Sequence, residues 1–100
     1  MPVKTEYRDD ILTARLQGEI DHHTAAAMRE TIDRTAEGCL PSRLVLDFSD
    51  VSFMDSSGIG LVMGRYRLIR SMGGELTITG TSPRIQAMMK MAGQVGGQRS

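Results

Sequence analysis

The chain has 100 residues and a mass of 11.0 kDa, a length that suits a single domain around one hydrophobic core. Forty per cent of its residues are hydrophobic and 24% are charged, a composition typical of globular proteins that excludes a wholly disordered chain. Its 12 basic and 12 acidic residues leave no net charge and only 4% of residues are aromatic, so we expect no direct binding to nucleic acid.

The N-terminal fifth of the chain predicts a β-hairpin. Apolar and polar residues alternate weakly over residues 3–8 and more clearly over residues 11–20, as in strands with one buried face. Asp9 and Asp10 lie between the two runs and are common turn residues. The two segments are therefore expected to pair antiparallel.

A helix and a buried strand are predicted next. Apolar residues recur at helical spacing over residues 24–38, where Thr24 can act as the N-cap and Gly38 can end the helix. Residues 43–48 are almost continuously apolar, which is typical of a central strand covered on both faces.

The remaining elements alternate in the same way. Residues 49–57 are predicted to form a loop, residues 57–72 a helix and residues 75–79 a strand. Ser82 followed by proline is typical of a helix start, and it predicts a last helix over residues 83–92.

The predicted order is therefore ββαβαβα, which is typical of a single α/β domain with a mixed sheet and helices packed on it. We assign residues 1–92 to this domain. Residues 93–100 contain three glycines and one aliphatic residue, so we expect them to be a disordered tail.

The most informative stretch is residues 53–61, which follows a strand and opens a helix. This position lies beyond the carboxyl end of the sheet, where α/β folds usually place their sites. Ser56 or Ser57 is the expected helix N-cap, and Asp55 is favourably placed near the positive end of the helix dipole. Capping alone accounts for these three residue types, so the pattern by itself does not separate a site from a helix start.

Three glycines weaken the beginning of this helix. Gly58, Gly60 and Gly64 each cost about 1 kcal/mol relative to alanine inside a helix. We interpret them as positions that let another backbone or a partner approach closely.

The same residues do not match the sequence patterns of common enzymes. The chain lacks GxxxxGK[ST], the third glycine of a dinucleotide fingerprint and Gly-x-Ser-x-Gly. We expect no enzyme activity and no catalytic residues, and weak nucleotide binding is kept only as a minor alternative.

A second polar cluster covers residues 18–24, at a strand end before a helix. Adjacent histidines such as His22 and His23 rarely point the same way, and no third ligand is evident, so we expect no metal site. Asp21 is interpreted as a helper of Thr24 in capping, or as a carboxylate beside Asp55 if both loops leave the same edge of the sheet.

Cellular location and cofactors follow from what the chain lacks. No apolar run approaches 18 residues and the first residues lack the apolar core of a signal peptide, which predicts a cytoplasmic protein without a membrane partner. The one cysteine, Cys39, cannot form an internal disulfide, and we expect no cofactor.

Two segments carry a resemblance to a known family. Residues 18–25, Gly-Glu-Ile-Asp-His-His-Thr-Ala, and residues 53–61, Phe-Met-Asp-Ser-Ser-Gly-Ile-Gly-Leu, closely resemble the anti-sigma factor antagonists of the STAS family. Residues 64–66 and 73–76 resemble the branch of that family that acts in sporulation. The similarity extends over about residues 3–92.

The resemblance implies a binding module that switches transcription. In that family the unphosphorylated protein binds a serine kinase that acts as an anti-sigma factor, and the sigma factor is released. The kinase phosphorylates the first serine after the aspartate, here Ser56, and a separate serine phosphatase reverses the reaction. The other residues implied in partner binding are Asp21, His22, His23, Thr24, Asp55, Ser57, Gly58 and Gly60.

Three further expectations come with the resemblance. Asp21 is expected to act in kinase recognition rather than in folding. The tail, residues 93–100, does not supply the final strand and helix of the family, which predicts a C-terminally truncated domain. The alternative function is a STAS module for another partner, of the stressosome or transporter type.

Overall fold

The computed structural model of the protein describes residues 2–92, and the expected disordered tail, residues 93–100, lies outside them. Seven helices and strands follow one another along the chain. They are β1 (Val3–Arg8), β2 (Ile11–Ile20), α1 (His22–Cys39), β3 (Arg43–Met54), α2 (Ser56–Ser71), β4 (Glu75–Thr79) and α3 (Pro83–Met91). The predicted order ββαβαβα is confirmed.

The four strands form one mixed sheet in the order β1-β2-β3-β4. β1 pairs antiparallel with β2, and β2, β3 and β4 run parallel to one another. The β1–β2 turn is made by Asp9 and Asp10, whose φ angles of 54° and 68° lie in the left-handed region that aspartate tolerates better than most residues. The predicted hairpin is therefore confirmed.

The hydrophobic core lies between one face of the sheet and the helices. Alternate residues of the central strands are fully buried and pack with the apolar stripes of α1 and α2. The main sheet and helix contributors are Leu12, Leu16, Leu44, Leu46, Phe48, Met28, Ile32, Val62 and Ile69.

The opposite face of the sheet is polar, so the expectation that β3 is covered on both faces is wrong. Arg15 Nε lies 3.3 Å from Asp47 Oδ2, and Arg43 lies 3.1 Å from Glu75. Along β3, partly exposed residues alternate with buried ones, and Val45 is the one apolar residue between Arg43 and Asp47 on the polar face. A strand with only one apolar face needs helices on one side of the sheet only.

The region predicted as a loop, residues 49–57, is also corrected. β3 continues to Met54 and pairs with β2 along its whole C-terminal half. The register between β2 and β3 shifts twice. Arg15 pairs with Asp47 but Gln17 pairs with Asp50, and Gly18 pairs with Val51 but Glu19 pairs with Phe53. Each shift adds a residue to β3, as a β-bulge does, and the polar residues at the bulges hide the strand pattern.

The end of α1 differs slightly from the prediction. Gly38 lies within the helix, and the chain leaves it at Leu40, whose φ of 46° is left-handed. The leucine occupies a conformation that glycine usually takes at this position.

A buried ion pair joins α1 to α2. Arg65 is the one charged residue among residues 2–92 that is buried; its Nε lies 2.8 Å from Asp33 Oδ1 without hydrogen-bond alignment. Its other nitrogens donate to Asp33 Oδ2 at 3.2 Å and to the Leu61 carbonyl at 3.1 Å. Burial lowers the pKa of the Arg65 guanidinium, and Asp33 opposes that shift. The pair holds the two helices side by side.

Candidate functional site

The two polar clusters come together at one edge of the sheet. Ile20 and Met54 are the last paired residues of β2 and β3, and the Asp55 backbone N–H donates to the Ile20 carbonyl at 3.1 Å. α1 and α2 begin immediately after these strands, so their N-termini lie side by side. Asp21 and Asp55 therefore occupy equivalent positions at the edge where α/β folds place their sites.

Asp21, and not Thr24, is the N-cap of α1. Its Oδ1 accepts hydrogen bonds from the backbone N–H groups of His23 at 2.9 Å and Thr24 at 3.0 Å. The Thr24 hydroxyl accepts from the Asp21 N–H at 2.8 Å and donates to the Glu19 carbonyl at 2.8 Å. The two side chains form a capping box. Asp21 therefore has a role in folding, contrary to expectation, because its carboxylate stabilises the helix start; its role in kinase recognition stays a prediction.

The cap also affects the acidity of Asp21. The pKa of its carboxyl is lowered, first by the hydrogen bond from the Thr24 backbone N–H. The Thr24 hydroxyl and the His23 N–H act in the same direction, while partial burial opposes them. The folded protein therefore favours the ionised form of the Asp21 carboxyl.

Asp55, rather than Ser56 or Ser57, is the N-cap of α2. Its Oδ1 accepts one backbone hydrogen bond, from Ser57 at 2.8 Å, and there is no capping box. Ser56 is the first residue of the helix and is exposed, whereas Ser57 is half-buried. Neither serine hydroxyl has a hydrogen-bond partner between residues 2 and 92.

The three glycines of α2 have different surroundings. A Cβ at Gly58 would overlap the buried side chain of Met54, so this glycine is explained by packing inside the domain. A Cβ at Gly60 or Gly64 would meet nothing within 4 Å. Of the three glycines, Gly60 and Gly64 leave open space that a partner could approach. At Gly58 the close neighbour is Met54 of the protein itself.

The two histidines are exposed in the first turn of α1, next to the start of α2. The rings of His22 and His23 contact edge to face, with centroids 5.6 Å apart. Among the described residues no group of three or more histidine, cysteine, aspartate and glutamate side chains is placed to hold a metal ion.

An aromatic residue at the same edge was not singled out from the sequence. Phe53 keeps 43% of its surface exposed, and the Arg84 guanidinium of α3 lies 5.9 Å from its ring centroid. The available signal was a phenylalanine between two polar stretches, on a segment predicted as a loop. The contact with Arg84 depends on α3 returning to this edge, which no local pattern shows.

Comparison with known proteins identifies the family. The chain matches the STAS domain family over residues 2–95. It is 34% identical to the anti-sigma F factor antagonist of Paenibacillus polymyxa over 93 residues, covering 93% of this chain and 80% of that protein. No helix within residues 2–92 has the length and apolar character needed to cross a membrane.

Solved structures agree in fold. The unphosphorylated form of the anti-sigma factor antagonist SpoIIAA superimposes with a TM-score of 0.81 at 30% identity, covering 91% of this chain and 80% of that one. The phosphorylated form of Bacillus SpoIIAA gives a TM-score of 0.75 at 30% identity, covering 91% and 83%. The chain therefore belongs to the STAS domain family.

Proposed function

We propose that this protein is an anti-sigma factor antagonist. In its unphosphorylated form it binds an anti-sigma factor that is a serine kinase, and the sigma factor is released to act in transcription. The names of its relatives and the two structures of SpoIIAA support this function. It acts as a cytoplasmic binding module, in sporulation as its relatives' sigma F system suggests, and not as an enzyme.

The kinase phosphorylates Ser56, and a serine phosphatase removes the phosphate. One observation carries the assignment: Ser56 is exposed at the first position of α2, while Ser57 is half-buried behind it. Asp21, His22 and His23 lie at the adjacent start of α1, so a partner that reaches Ser56 on α2 also contacts α1. The partner-binding surface is therefore formed by both helix N-termini, with Thr24, Asp55, Ser57 and the open position at Gly60.

Phosphate at this position leaves the fold intact. A phosphoserine carries about −1.5 to −2 charges at neutral pH, and a helix N-terminus is a favourable place for negative charge. Ser56 is exposed, so a phosphate on its hydroxyl does not have to be buried in the domain.

The same phosphate opposes binding of the partner. At about 6 Å and an effective dielectric constant near 20, two like unit charges repel by roughly 2.8 kcal/mol. A hundredfold loss of affinity needs only about 2.7 kcal/mol. One acidic group on the partner surface is therefore sufficient, and the protein's own Asp55 and Asp21 already make this edge acidic.

The test combines mapping of the phosphate with binding. We expect the serine-kinase anti-sigma factors of the source organism to bind the unmodified chain and to phosphorylate it on Ser56, as mass spectrometry of its peptides would show. Ser56→Ala is expected to bind without being switched, and Ser57→Ala serves as the matched control that keeps the modification. Phosphorylation is expected to lower affinity at least tenfold while the circular dichroism spectrum stays the same.

Two outcomes contradict the proposal. Phosphate on Ser57 would overturn the assignment of the modified residue. A chain that binds none of these kinases, but is captured by a different regulatory protein, would instead be a STAS module of another class.

A further inference from the structure

A row of three exposed side chains crosses the site edge beyond the helix N-termini. Glu19 of β2 pairs in register with Phe53 of β3, and the Arg84 guanidinium of α3 stands over the Phe53 ring. We define this row as the rim: an anion, an aromatic ring and a cation on three different elements.

Neither Phe53 nor Arg84 belongs to the hydrophobic core of the domain. Phe53 leaves 43% of its surface in water, in contrast to Phe48 of the same strand, which is 1% exposed. Arg84 occupies the second position of α3, where the helix dipole disfavours a cation. Within residues 2–92 neither Arg84 nor Glu19 forms an ion pair. The folding of the domain therefore does not explain why these side chains meet here.

The rim is continuous with the proposed partner-binding surface. Phe53 precedes Ser56 by three residues, so their Cα atoms are at most about 11 Å apart. A partner that covers Ser56 and buries a typical interface of about 800 Å² on each side extends across the rim as well. Aromatic and arginine side chains are the types that contribute most to such interfaces.

We propose that the rim is the second half of the surface that binds the anti-sigma factor kinase, an inference that rests on the proposed function. Its chemistry defines the complementary patch on the kinase: an apolar side chain covers the Phe53 ring and a carboxylate pairs with Arg84. Arg84 is available for that pair, since it forms no hydrogen bond or ion pair within residues 2–92 and its guanidinium lies over the Phe53 ring.

The test measures the affinity of unphosphorylated variants for the kinase that binds the wild-type chain. Arg84→Glu and Phe53→Ala are each expected to weaken binding at least tenfold. Glutamate at the start of α3 suits the helix dipole, so Arg84→Glu is expected to keep or raise the melting temperature. The wild-type association rate is expected to fall as salt is added, and this dependence weakens in Arg84→Glu.

Two matched controls lie on β1, away from this edge. Lys4→Glu makes the same change of charge on an exposed residue that pairs with Arg15. Tyr7→Ala removes an aromatic ring that is 47% exposed. Both are expected to bind the kinase like the wild type.

The outcomes separate this inference from the proposed function. If the wild type binds and is switched by phosphorylation but both rim variants bind equally well, the rim inference alone is overturned. If Phe53→Ala and Arg84→Glu lower only the melting temperature, the contact is structural and the inference is equally wrong. A wild-type chain that binds no serine-kinase anti-sigma factor overturns both.

Discussion

The two helices that begin at the site edge start in different ways. Both follow a strand and both are capped by an aspartate, yet Asp21 accepts two backbone N–H groups and is locked to Thr24, whereas Asp55 accepts one. α1 continues with three alanines, which favour a helix, while α2 has three glycines among its first nine residues.

The same kind of aspartate cap therefore stabilises the two helix starts to different degrees. At α1 the positive end of the helix dipole is occupied by a side chain of the protein itself, which stabilises the fold. At α2 the Asp55 cap accepts one backbone hydrogen bond, and the exposed Ser56 hydroxyl has no hydrogen-bond partner within residues 2–92.

The largest expected effect on stability comes from breaking the ion pair that joins α1 and α2. Asp33→Ala leaves Arg65 buried without its partner, and we expect a loss of about 3 kcal/mol in the free energy of unfolding. That is at the low end for a buried pair, since Asp33 keeps 27% of its side chain exposed. Urea denaturation measures it, with Glu30→Ala, which breaks an exposed pair with Arg34, as the control that stays within about 0.5 kcal/mol.

The glycines of α2 are expected to divide into two groups. Gly58→Ala overlaps the buried Met54 side chain and is expected to destabilise the domain by up to about 2 kcal/mol. Gly60→Ala meets open space and should stabilise it by about 0.5–1 kcal/mol. In a Met54→Ala background Gly58→Ala is expected to change sign, and a persistent loss there would show that packing on Met54 is not the cause.

The two caps are expected to differ in their contribution to stability. Asp55→Ala removes one hydrogen bond and should cost about 0.5–1 kcal/mol. Asp21→Ala removes the capping box and is expected to lower the melting temperature further. The corresponding asparagine variants keep a good N-cap and serve as controls. Equal losses at the two positions would contradict the contrast between the helix starts.

The smallest effect is a dependence on pH. Because the pKa of Asp21 is lowered in the folded state, the unfolded chain binds more protons as the pH approaches the ordinary value of 3.8. The stabilisation is therefore complete well above that value and is lost as the pH falls through the lower folded pKa. Melting temperatures of the wild type and Asp21→Asn, compared from neutral pH to about pH 3, should converge in acid. A constant difference across this range would disprove the coupling.

Much of the fold was predictable from local patterns. The observed bounds of β1, β2 and β4 are those predicted, because alternation and turn residues mark an amphipathic strand at both ends. The C-terminal half of β3 was not predictable, since its bulges interrupt the alternation and only pairing with β2 makes it a strand. Arg65 also carries no local mark of burial, as its partner Asp33 lies 32 residues away.

The candidate site also has features that the local sequence predicts and features that it does not. The sequence by itself determined that polar residues follow β2 and β3 and that an Asp-Ser-Ser-Gly segment opens a glycine-rich helix. Which residue caps each helix was decided by the tertiary structure, because serine, threonine and aspartate all cap well and the β2–β3 pairing sets where each strand stops. The sheet also brought Phe53 and Arg84 together, since contacts between distant residues depend on how the helices return to the sheet edge and not on any local periodicity.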